Sequence, residues 1–333
     1  MTPWIGHEAA EAAFSRALDS GSLHHAWLLT GPEGVGKASF AKAAGRKLLG
    51  AGTQHDPLIA ARSHPDLKVV EREVWDGKSP PNIVPYDERK PDDAPARSIR
   101  IAQIRMLLPV LAKAPSLGSR RAIIIDSADD MERPAANALL KSLEEPPTGT
   151  VFLLVSHAPG RLLPTIRSRC RVLRFPALSD NEMRRALGHA LPDTDGAEID
   201  ALVTAGEGSP GRALRFAGLD VAGLDQAMAT IATTGDPQVS ERAALARALS
   251  ARSAQPRYEA FLERVPAFLA AQARTLSGPA LAKALDAHTA ARDVAAAARG
   301  LSLDAQGTVW ELAGLIAGLA GPTAVAPLRR RAG

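Results

Sequence analysis

The sequence predicts an α/β fold in which a parallel sheet, covered by helices, is followed by an all-helical remainder. Three observations lead to this prediction. Apolar runs of strand length alternate with helical patterns up to about residue 175. A glycine-rich turn at residues 31–36 lies between the first such run and the first long helical pattern. From about residue 220 the chain is rich in alanine and shows helical spacing alone.

The predicted strands are short apolar runs at residues 26–30, 67–70, 121–126, 150–155 and 172–175. The predicted helices between them cover residues 37–49, residues 99–111 and a segment through Leu139, Leu140 and Leu143. Because strands that alternate with helices pair in parallel, we expect helices on both faces of the sheet.

The chain divides into three predicted parts. Residues 1–176 form the sheet module, residues 177–218 a small helical part, and residues 219–333 a larger helical part. Within the first part, residues 72–97 are rich in proline and in charges of both signs, which favours a surface loop. Ser179, with Glu182 three residues later, predicts a capping box at the start of the helical region.

The composition is that of an ordinary globular protein, with 46% hydrophobic and 23% charged residues among 333. The net charge of +4 and the pI of about 9.4 suit a polyanionic neighbour without requiring one. Cys170 is the only cysteine, which excludes a disulfide framework or a cysteine-rich zinc site. The sequence shows neither a signal-peptide pattern nor a membrane-spanning apolar run, so we expect a cytoplasmic protein.

Residues 31–38, Gly-Pro-Glu-Gly-Val-Gly-Lys-Ala, nearly match the phosphate-loop pattern G-x-x-x-x-G-K-[ST]. Gly31, Gly34 and Gly36 would let backbone N–H groups surround an anion, and Lys37 would add a positive charge. Ala38 replaces the hydroxyl residue that binds Mg²⁺, and a methyl group cannot coordinate a hard cation. We therefore predict no metal site. ATP or ADP is expected to bind without hydrolysis, if the loop is occupied at all.

A second acidic motif is altered as well. It reads Asp126-Ser127 at the end of a predicted strand, where an Asp-Glu pair would serve hydrolysis. Asp126 can still support a magnesium shell, but an alcohol such as Ser127 is a poor proton acceptor. Asp129 and Asp130 are interpreted as a solvated acidic loop. Two losses at one site predict hydrolysis that is absent or very slow.

Three segments in a fixed order suggest a family. Residues 137–147 read Asn-Ala-Leu-Leu-Lys-Ser-Leu-Glu-Glu-Pro-Pro between two predicted strands, and residues 165–170 read Thr-Ile-Arg-Ser-Arg-Cys. Together with the buried-strand pattern at residues 122–126 that precedes them, these segments stand in an order that resembles the clamp-loader branch of the AAA+ ATPases, which open and close a sliding clamp around DNA. The resemblance implies an AAA+ module, a helical lid at 177–218 and a helical collar at 219–333. It also implies that Arg169 acts as an arginine finger in a neighbouring subunit's nucleotide site. Arg212 resembles the sensor-2 arginine of the lid, although a helix-surface arginine fits equally well.

The resemblance implies a stator in the ring-shaped clamp loader of the bacterial DNA polymerase III holoenzyme, without ATPase activity of its own. The implied partners are the gamma/tau and delta subunits, the beta sliding clamp and primed DNA, at the replisome rather than at a membrane. No zinc is expected, because the cysteine module of many family members cannot form around Cys170 alone. Two alternatives stay open: an ATP-hydrolysing gamma/tau-type motor subunit, and another AAA+ DNA-processing ATPase. The sequence leaves open the subunit order and any direct contact with DNA.

Overall fold

The computed structural model describes residues 4–50, 58, 64–73, 96–301 and 303–320. The chain divides into two compact units. The first unit comprises residues 1–186 and 208–211, and the second comprises residues 187–207 and 212–333. Most of the loop predicted at residues 72–97, and the last part of the predicted collar, lie outside the described residues.

The first unit contains a parallel sheet, whose strand order in the described part of the chain is β2-β3-β4-β1-β5. The strands are β1 Ala26–Thr30, β2 Leu67–Val70, β3 Arg121–Ile125, β4 Thr150–Ser156 and β5 Arg171–Arg174. All four pairings are parallel. The predicted α/β class, the parallel sheet and the five predicted strands are therefore confirmed.

Helices connect these strands. They are α1 Glu8–Asp19, α2 Lys37–Leu48, α3 Ile101–Leu111, α4 Arg133–Glu144, α5 Pro164–Arg167 and α6 Asp180–Ala190, the last turn of which belongs to the second unit. Helix α3 begins two residues later than predicted, because Ile99 forms an isolated β-bridge with Met131. The capping box is confirmed: Ser179 donates to the Glu182 carboxylate through its N–H group at 2.8 Å and its hydroxyl at 2.7 Å.

Apolar side chains cover both faces of the sheet. On one face, strand residues pack with α3 and α4 in a buried core that includes Leu28, Ile123, Ile125, Phe152, Leu154, Ile104, Leu107, Leu139 and Leu143. On the other face, aromatic rings meet edge to face 5.1–5.9 Å apart: Phe14 with Trp27 and Phe40, and Phe40 with Phe175. Burying each such large side chain stabilises the fold by about 1.5–3 kcal/mol.

A parallel sheet has two distinct ends, because all of its strands run in the same direction. We call the end that follows the strands the loop end; it comprises the segments that begin at residues 31, 71, 126, 157 and 175. We call the opposite end the arginine end; it comprises the residues just before the strands, at 23–25, 64–66, 118–120, 147–149 and 168–170, and the C-terminus of α4. The phosphate loop and the Ser-Arg-Cys segment therefore lie at opposite ends of one sheet.

A buried ion pair holds the arginine end together. The guanidinium of Arg121, at the start of β3, lies 3.4 Å from the Asp66 carboxylate, and the two side chains are 2% and 0% exposed. Arg121 also donates to three carbonyl groups at 2.7–3.0 Å, those of Val110, Lys113 and Ala114. Asp66 accepts the N–H groups of Ser116 and Leu117 at 2.8–2.9 Å. The pair thus fixes the loop between α3 and β3.

The second unit is helical throughout its described residues. Its helices are α7 Gly196–Gly206, α8 Pro210–Leu214 (which begins in the first unit), α9 Val221–Thr234, α10 Ser240–Ser250, α11 Gln255–Ala273, α12 Gly278–Leu301 and α13 Ala305–Ala317. Aspartate side chains cap the N-termini of α7, α9 and α13. None of the helices in the described part of the chain combines the length and apolar character that crossing a bilayer requires.

One contact bears on the predicted boundary between lid and collar. Glu198 of α7 accepts the N–H groups of Val221 and Ala222 at the start of α9, at 3.2 and 3.0 Å. Residues of the predicted lid and of the predicted collar are therefore joined within one unit. The division at residues 1–176, 177–218 and 219–333 stays a prediction.

Candidate functional site

The phosphate loop depends on glycines with positive φ angles. These angles are +151° at Gly31, +78° at Gly34 and +104° at Gly36. A Cβ atom at Gly31 would lie only 1.9 Å from the carbonyl oxygen of Phe175, so no other residue fits there without moving the backbone. At Gly36 a Cβ atom would meet no atom within 4 Å. A cradle thus remains at the start of α2, where an anion is favoured.

Lys37 is turned toward its own loop. Its side chain is buried, and its Nζ atom donates hydrogen bonds to the carbonyl of Gly31 at 2.7 Å and to that of Pro32. Burial lowers the pKa of Lys37 to about 8, although the nearby carboxylates of Asp129 and Asp126 act in the opposite direction. At neutral pH the amine therefore still carries most of its positive charge, as binding an anion requires.

Three groups from elsewhere in the first unit bind the remaining loop carbonyls. The hydroxyl of Ser209 donates to Glu33 O at 2.7 Å, the N–H of Gly211 donates to Gly34 O at 2.9 Å, and Nε2 of His7 lies 2.8 Å from Val35 O. Together with the Lys37 bonds, every carbonyl from residue 31 to residue 35 has a hydrogen-bond donor. The loop is thus held in place through its carbonyl groups.

The residues that would bind magnesium and activate water do not fit those tasks. Ala38 presents a methyl group in the first turn of α2, and Ser39 beside it is exposed. Ser127 has φ +58° and ψ +53°, an uncommon conformation for a residue with a side chain. Its hydroxyl lies 3.2 Å from Nε2 of His157. The loop therefore suits the phosphates of a nucleotide, whereas position 38 offers no oxygen ligand to a magnesium ion.

The acidic residues after β3 differ from one another. Burial raises the pKa of Asp126, which lies at the strand end. Asp129 is buried and accepts the N–H groups of His157 and Ala158 at 3.1 and 3.0 Å. The interpretation of Asp129 as part of a solvated loop was therefore wrong: it joins the chain after β3 to the chain after β4. Burial, reinforced by the Lys37 charge, also lowers the pKa of His157 and keeps its ring neutral.

Arg169 lies at the arginine end. Its guanidinium donates to the carbonyl of Thr165 at 2.8 Å and lies 2.8 Å from Glu144 Oε1, with the two charged side chains 34% and 47% exposed. It opens onto a cleft of about 760 Å³ lined by His24, His25, Leu143, Glu144, Glu145, Ser168, Arg169, Cys170 and Arg171. No local pattern predicts the contact between Arg169 and Glu144, although both residues lie in the segments that carry the family resemblance.

Arg169 does not lie beside its own phosphate loop. Arg171 pairs with Trp27 near the start of β1, whereas the loop begins at Gly31, after the end of β1. At a strand rise of about 3.3 Å per residue, Trp27 and Gly31 are about 13 Å apart. The guanidinium is, moreover, bound to residues of the arginine end. The structure thus separates Arg169 from Gly31, Gly34, Gly36 and Lys37.

Two further residues singled out in the sequence have structural partners. Burial raises the pKa of the Cys170 thiol to about 12, so it stays protonated and is suited to packing rather than reaction. Arg212 belongs to the second unit, where its guanidinium is paired with the carboxylates of Glu207 and Glu263. Its role as a sensor-2 arginine stays a prediction.

The sequence alone does not identify His7, Ser209 and Gly211 as groups that hold the loop. Ser209 and Gly211 lie in a Gly-Ser-Pro-Gly break, and such a break is a signal of close backbone approach. A Cβ atom at Gly211 would indeed lie 2.9 Å from the Cα atom of Gly34. His7 carries no comparable local signal.

Residues 6–179 match the family described as DNA polymerase III, delta subunit. DNA polymerase III subunit delta' of Pseudomonas aeruginosa is 37% identical over 228 residues, which are 66% of this chain and 62% of that protein. DNA polymerase III subunit tau of Escherichia coli is 33% identical over 245 residues, 72% of this chain and 34% of that protein. The chain therefore spans about three fifths of the first of these relatives and about a third of the second.

Two solved structures from Thermotoga maritima are similar at lower identity. A DNA polymerase III gamma subunit-related protein has a TM-score of 0.44 at 18% identity, covering 92% of this chain and 98% of that one. The RuvB Holliday junction branch migration motor has a TM-score of 0.41 at 18% identity, covering 68% of this chain and 64% of that one.

Proposed function

Because the chain belongs to the DNA polymerase III, delta subunit family, we propose that it is a delta'-type stator of a clamp loader. In this role it does not hydrolyse ATP; it holds Arg169 toward the nucleotide site of a neighbouring motor subunit. The identity of 37% to a delta' subunit, against 33% to a tau subunit that it covers less fully, favours this reading over a motor subunit. The altered residues Ala38 and Ser127 favour it independently.

The observation that carries the proposal is the separation of Arg169 from its own loop. An arginine finger must approach the phosphate that is transferred, and Arg169 is bound at the far end of the sheet. A guanidinium that opens onto a surface cleft, in a chain without a hydrolytic site, is suited to a substrate that another subunit holds. Its planar, permanently charged fork matches phosphate oxygens.

The loop end would then serve binding only. The loop backbone around Gly36 and the Lys37 amine would bind and orient the negatively charged phosphates of ATP or ADP. Ala38 contributes no ligand for a metal ion. The Ser127 hydroxyl, hydrogen-bonded to His157, accepts no proton from water at neutral pH. Bound nucleotide would therefore stabilise the module without being consumed.

The partners in this proposal are the gamma/tau and delta subunits. The sliding clamp and primed DNA are engaged through the assembled ring. The helices of the second unit, which carry no catalytic motif, would form the collar through which the subunits associate. Their exposed apolar side chains include Leu285, Leu301, Leu303 and Trp310.

The decisive experiment compares clamp loaders reconstituted with the wild-type chain or with Arg169→Ala. A finger supplied to a neighbour raises the rate at that site by about 10³–10⁵. We expect total ATP turnover to fall by less, because only one of several active sites is affected, and clamp loading to weaken. Arg169→Lys should not restore either activity, since an ammonium group lacks the fork.

Arg167→Ala is the matched control, because Arg167 is an exposed arginine two positions away on α5. It should behave as the wild type. Assembly must be verified for each variant by size-exclusion chromatography. If fully assembled Arg169→Ala complexes match the wild type in both assays, the proposed finger is wrong.

A second measurement addresses the loop end. The isolated chain should hydrolyse ATP no faster than a buffer blank. Turnover of about one per second or more, a typical enzyme rate, would identify it as a motor subunit instead.

A further inference from the structure

We propose that Glu144 is the residue that positions Arg169 for its neighbour. This inference rests on the proposed function and adds a second residue to it. Glu144 is the last residue of α4, and its carboxylate Oε1 lies 2.8 Å from the Arg169 guanidinium. The end of α4 and the Ser-Arg-Cys segment are therefore joined by this ion pair, and in the proposal they act together.

The backbone position of Glu144 is fixed by its neighbours in α4. Leu139 and Leu143 of α4 are buried in the core, 0% and 1% exposed. The carbonyl of Leu143, which would otherwise lack a partner in the last turn, lies 3.0 Å from Nε2 of His25. The end of α4 is thus hydrogen-bonded to His25, the residue before β1. The backbone that carries the Glu144 side chain is therefore fixed in position.

Two contacts together orient the guanidinium. The Thr165 carbonyl binds one terminal nitrogen of Arg169, and Glu144 binds the other. A guanidinium has five N–H donors, so further donors remain for phosphate oxygens. The negative end of the α4 dipole lies at the same place and favours a cation there. The Arg169 side chain, which when free has about 2 kcal/mol of rotamer entropy, is therefore held in a single orientation.

The contact between Glu144 and Arg169 is suited to orienting the guanidinium. It neither stabilises the fold appreciably nor keeps the guanidinium from binding another anion. An ion pair this exposed contributes little to folding, because water and salt screen it. For the same reason it does not prevent the guanidinium from binding a phosphate, which carries more charge than one carboxylate. Fixing a catalytic group beforehand lowers the barrier by reducing the entropy lost on reaction.

The test uses the reconstituted clamp loader with Glu144→Gln, which keeps the size and an acceptor oxygen but removes the charge. We expect kcat at the adjacent site to fall about threefold to tenfold with the KM for ATP unchanged, a smaller loss than Arg169→Ala causes. The control is Glu132→Gln, an exposed glutamate at the opposite end of α4 that accepts a hydrogen bond from Ser98 and does not line the cleft. It should leave kcat at the wild-type value.

A double variant separates positioning from a general structural effect. If Glu144 acts only through Arg169, Arg169→Ala combined with Glu144→Gln should be no slower than Arg169→Ala alone. The thermal midpoint of Glu144→Gln should match that of the wild type, because so exposed an ion pair contributes little to folding. An additive loss in the double variant, or a fall in the midpoint that accounts for the loss of kcat, would overturn the positioning role.

The remaining outcomes distinguish this inference from the proposed function. Wild-type or raised turnover in Glu144→Gln, with impaired Arg169→Ala, would reject the positioning role and leave the finger standing. Wild-type turnover in both variants would reject both.

Discussion

The loop end and the arginine end belong to one sheet but are held by different kinds of interaction. At the loop end, hydrogen-bond donors bind the backbone: each carbonyl from residue 31 to residue 35 accepts a hydrogen bond, four of the five from a side chain. At the arginine end, arginine side chains are paired with carboxylates, in the buried pair of Arg121 with Asp66 and the exposed pair of Arg169 with Glu144. The two ends should therefore respond differently when a charged side chain is replaced.

The loop backbone does not depend on the two positions that differ from a hydrolytic motif, Ala38 and Ser127. Neither the Ala38 methyl group nor the Ser127 hydroxyl supports the loop backbone, which is bound by His7, Ser209 and Gly211. Lys37, by contrast, both supports the loop and supplies its positive charge, and at the arginine end Arg169 is likewise both a paired side chain and the proposed functional group. Positions 38 and 127 can thus change without disturbing the loop backbone.

The largest effect on stability is expected from Arg121→Met. It leaves the carboxylate of Asp66 buried without its cationic partner, and breaking a buried pair in this way costs about 3–5 kcal/mol. The urea-unfolding transition of the first unit measures the loss. Arg120→Met, at the neighbouring and less buried position, is the control and should change the free energy of unfolding by about 0.5 kcal/mol or less. Equal losses in the two variants would show that the buried pair does not hold the arginine end together.

A smaller effect is expected at the loop end when the pH changes. Burial lowers the pKa of Lys37 to about 8, so its amine loses its charge as the pH rises from 7 to 9. Since bound phosphate favours the charged form, the affinity for ADP should fall, by about tenfold for each pH unit above 8. Titration with fluorescent ADP at several pH values measures this. Lys37→Met should bind weakly with no such dependence, and an identical slope in that variant would exclude Lys37 as the cause.

The smallest effect is expected from magnesium. Because Ala38 supplies no hydroxyl ligand, adding Mg²⁺ should change the affinity for ADP by less than about threefold. Ala38→Thr restores the ligand and should increase the magnesium dependence, whereas Ser39→Ala, at the exposed next position, should not. A large magnesium effect in the wild-type chain would contradict the reading of Ala38.

Much of this molecule is predictable because its signals are local. The strands, the phosphate loop and the Ser179–Glu182 capping box follow from residues close together in the sequence. The pairing of Arg121 with Asp66 joins positions 55 residues apart, and no local pattern indicates it. The burial of Asp129 depends on the turn at Ser127 and on the chain after β4, so composition alone suggested a solvated loop. Contacts between segments distant in the sequence fix the side chains at both ends of the sheet, and local sequence patterns do not indicate such contacts.

The hydrogen-bonded loop also bears on how sequence motifs persist over time. A side chain at Gly31 would lie 1.9 Å from the Phe175 carbonyl oxygen, so replacing this glycine requires the backbone to move whether or not nucleotide ever binds. The requirement for glycine at position 31 is therefore one of folding, separate from any requirement of catalysis. Retention of this glycine thus says little about hydrolysis, on which positions 38 and 127 bear directly.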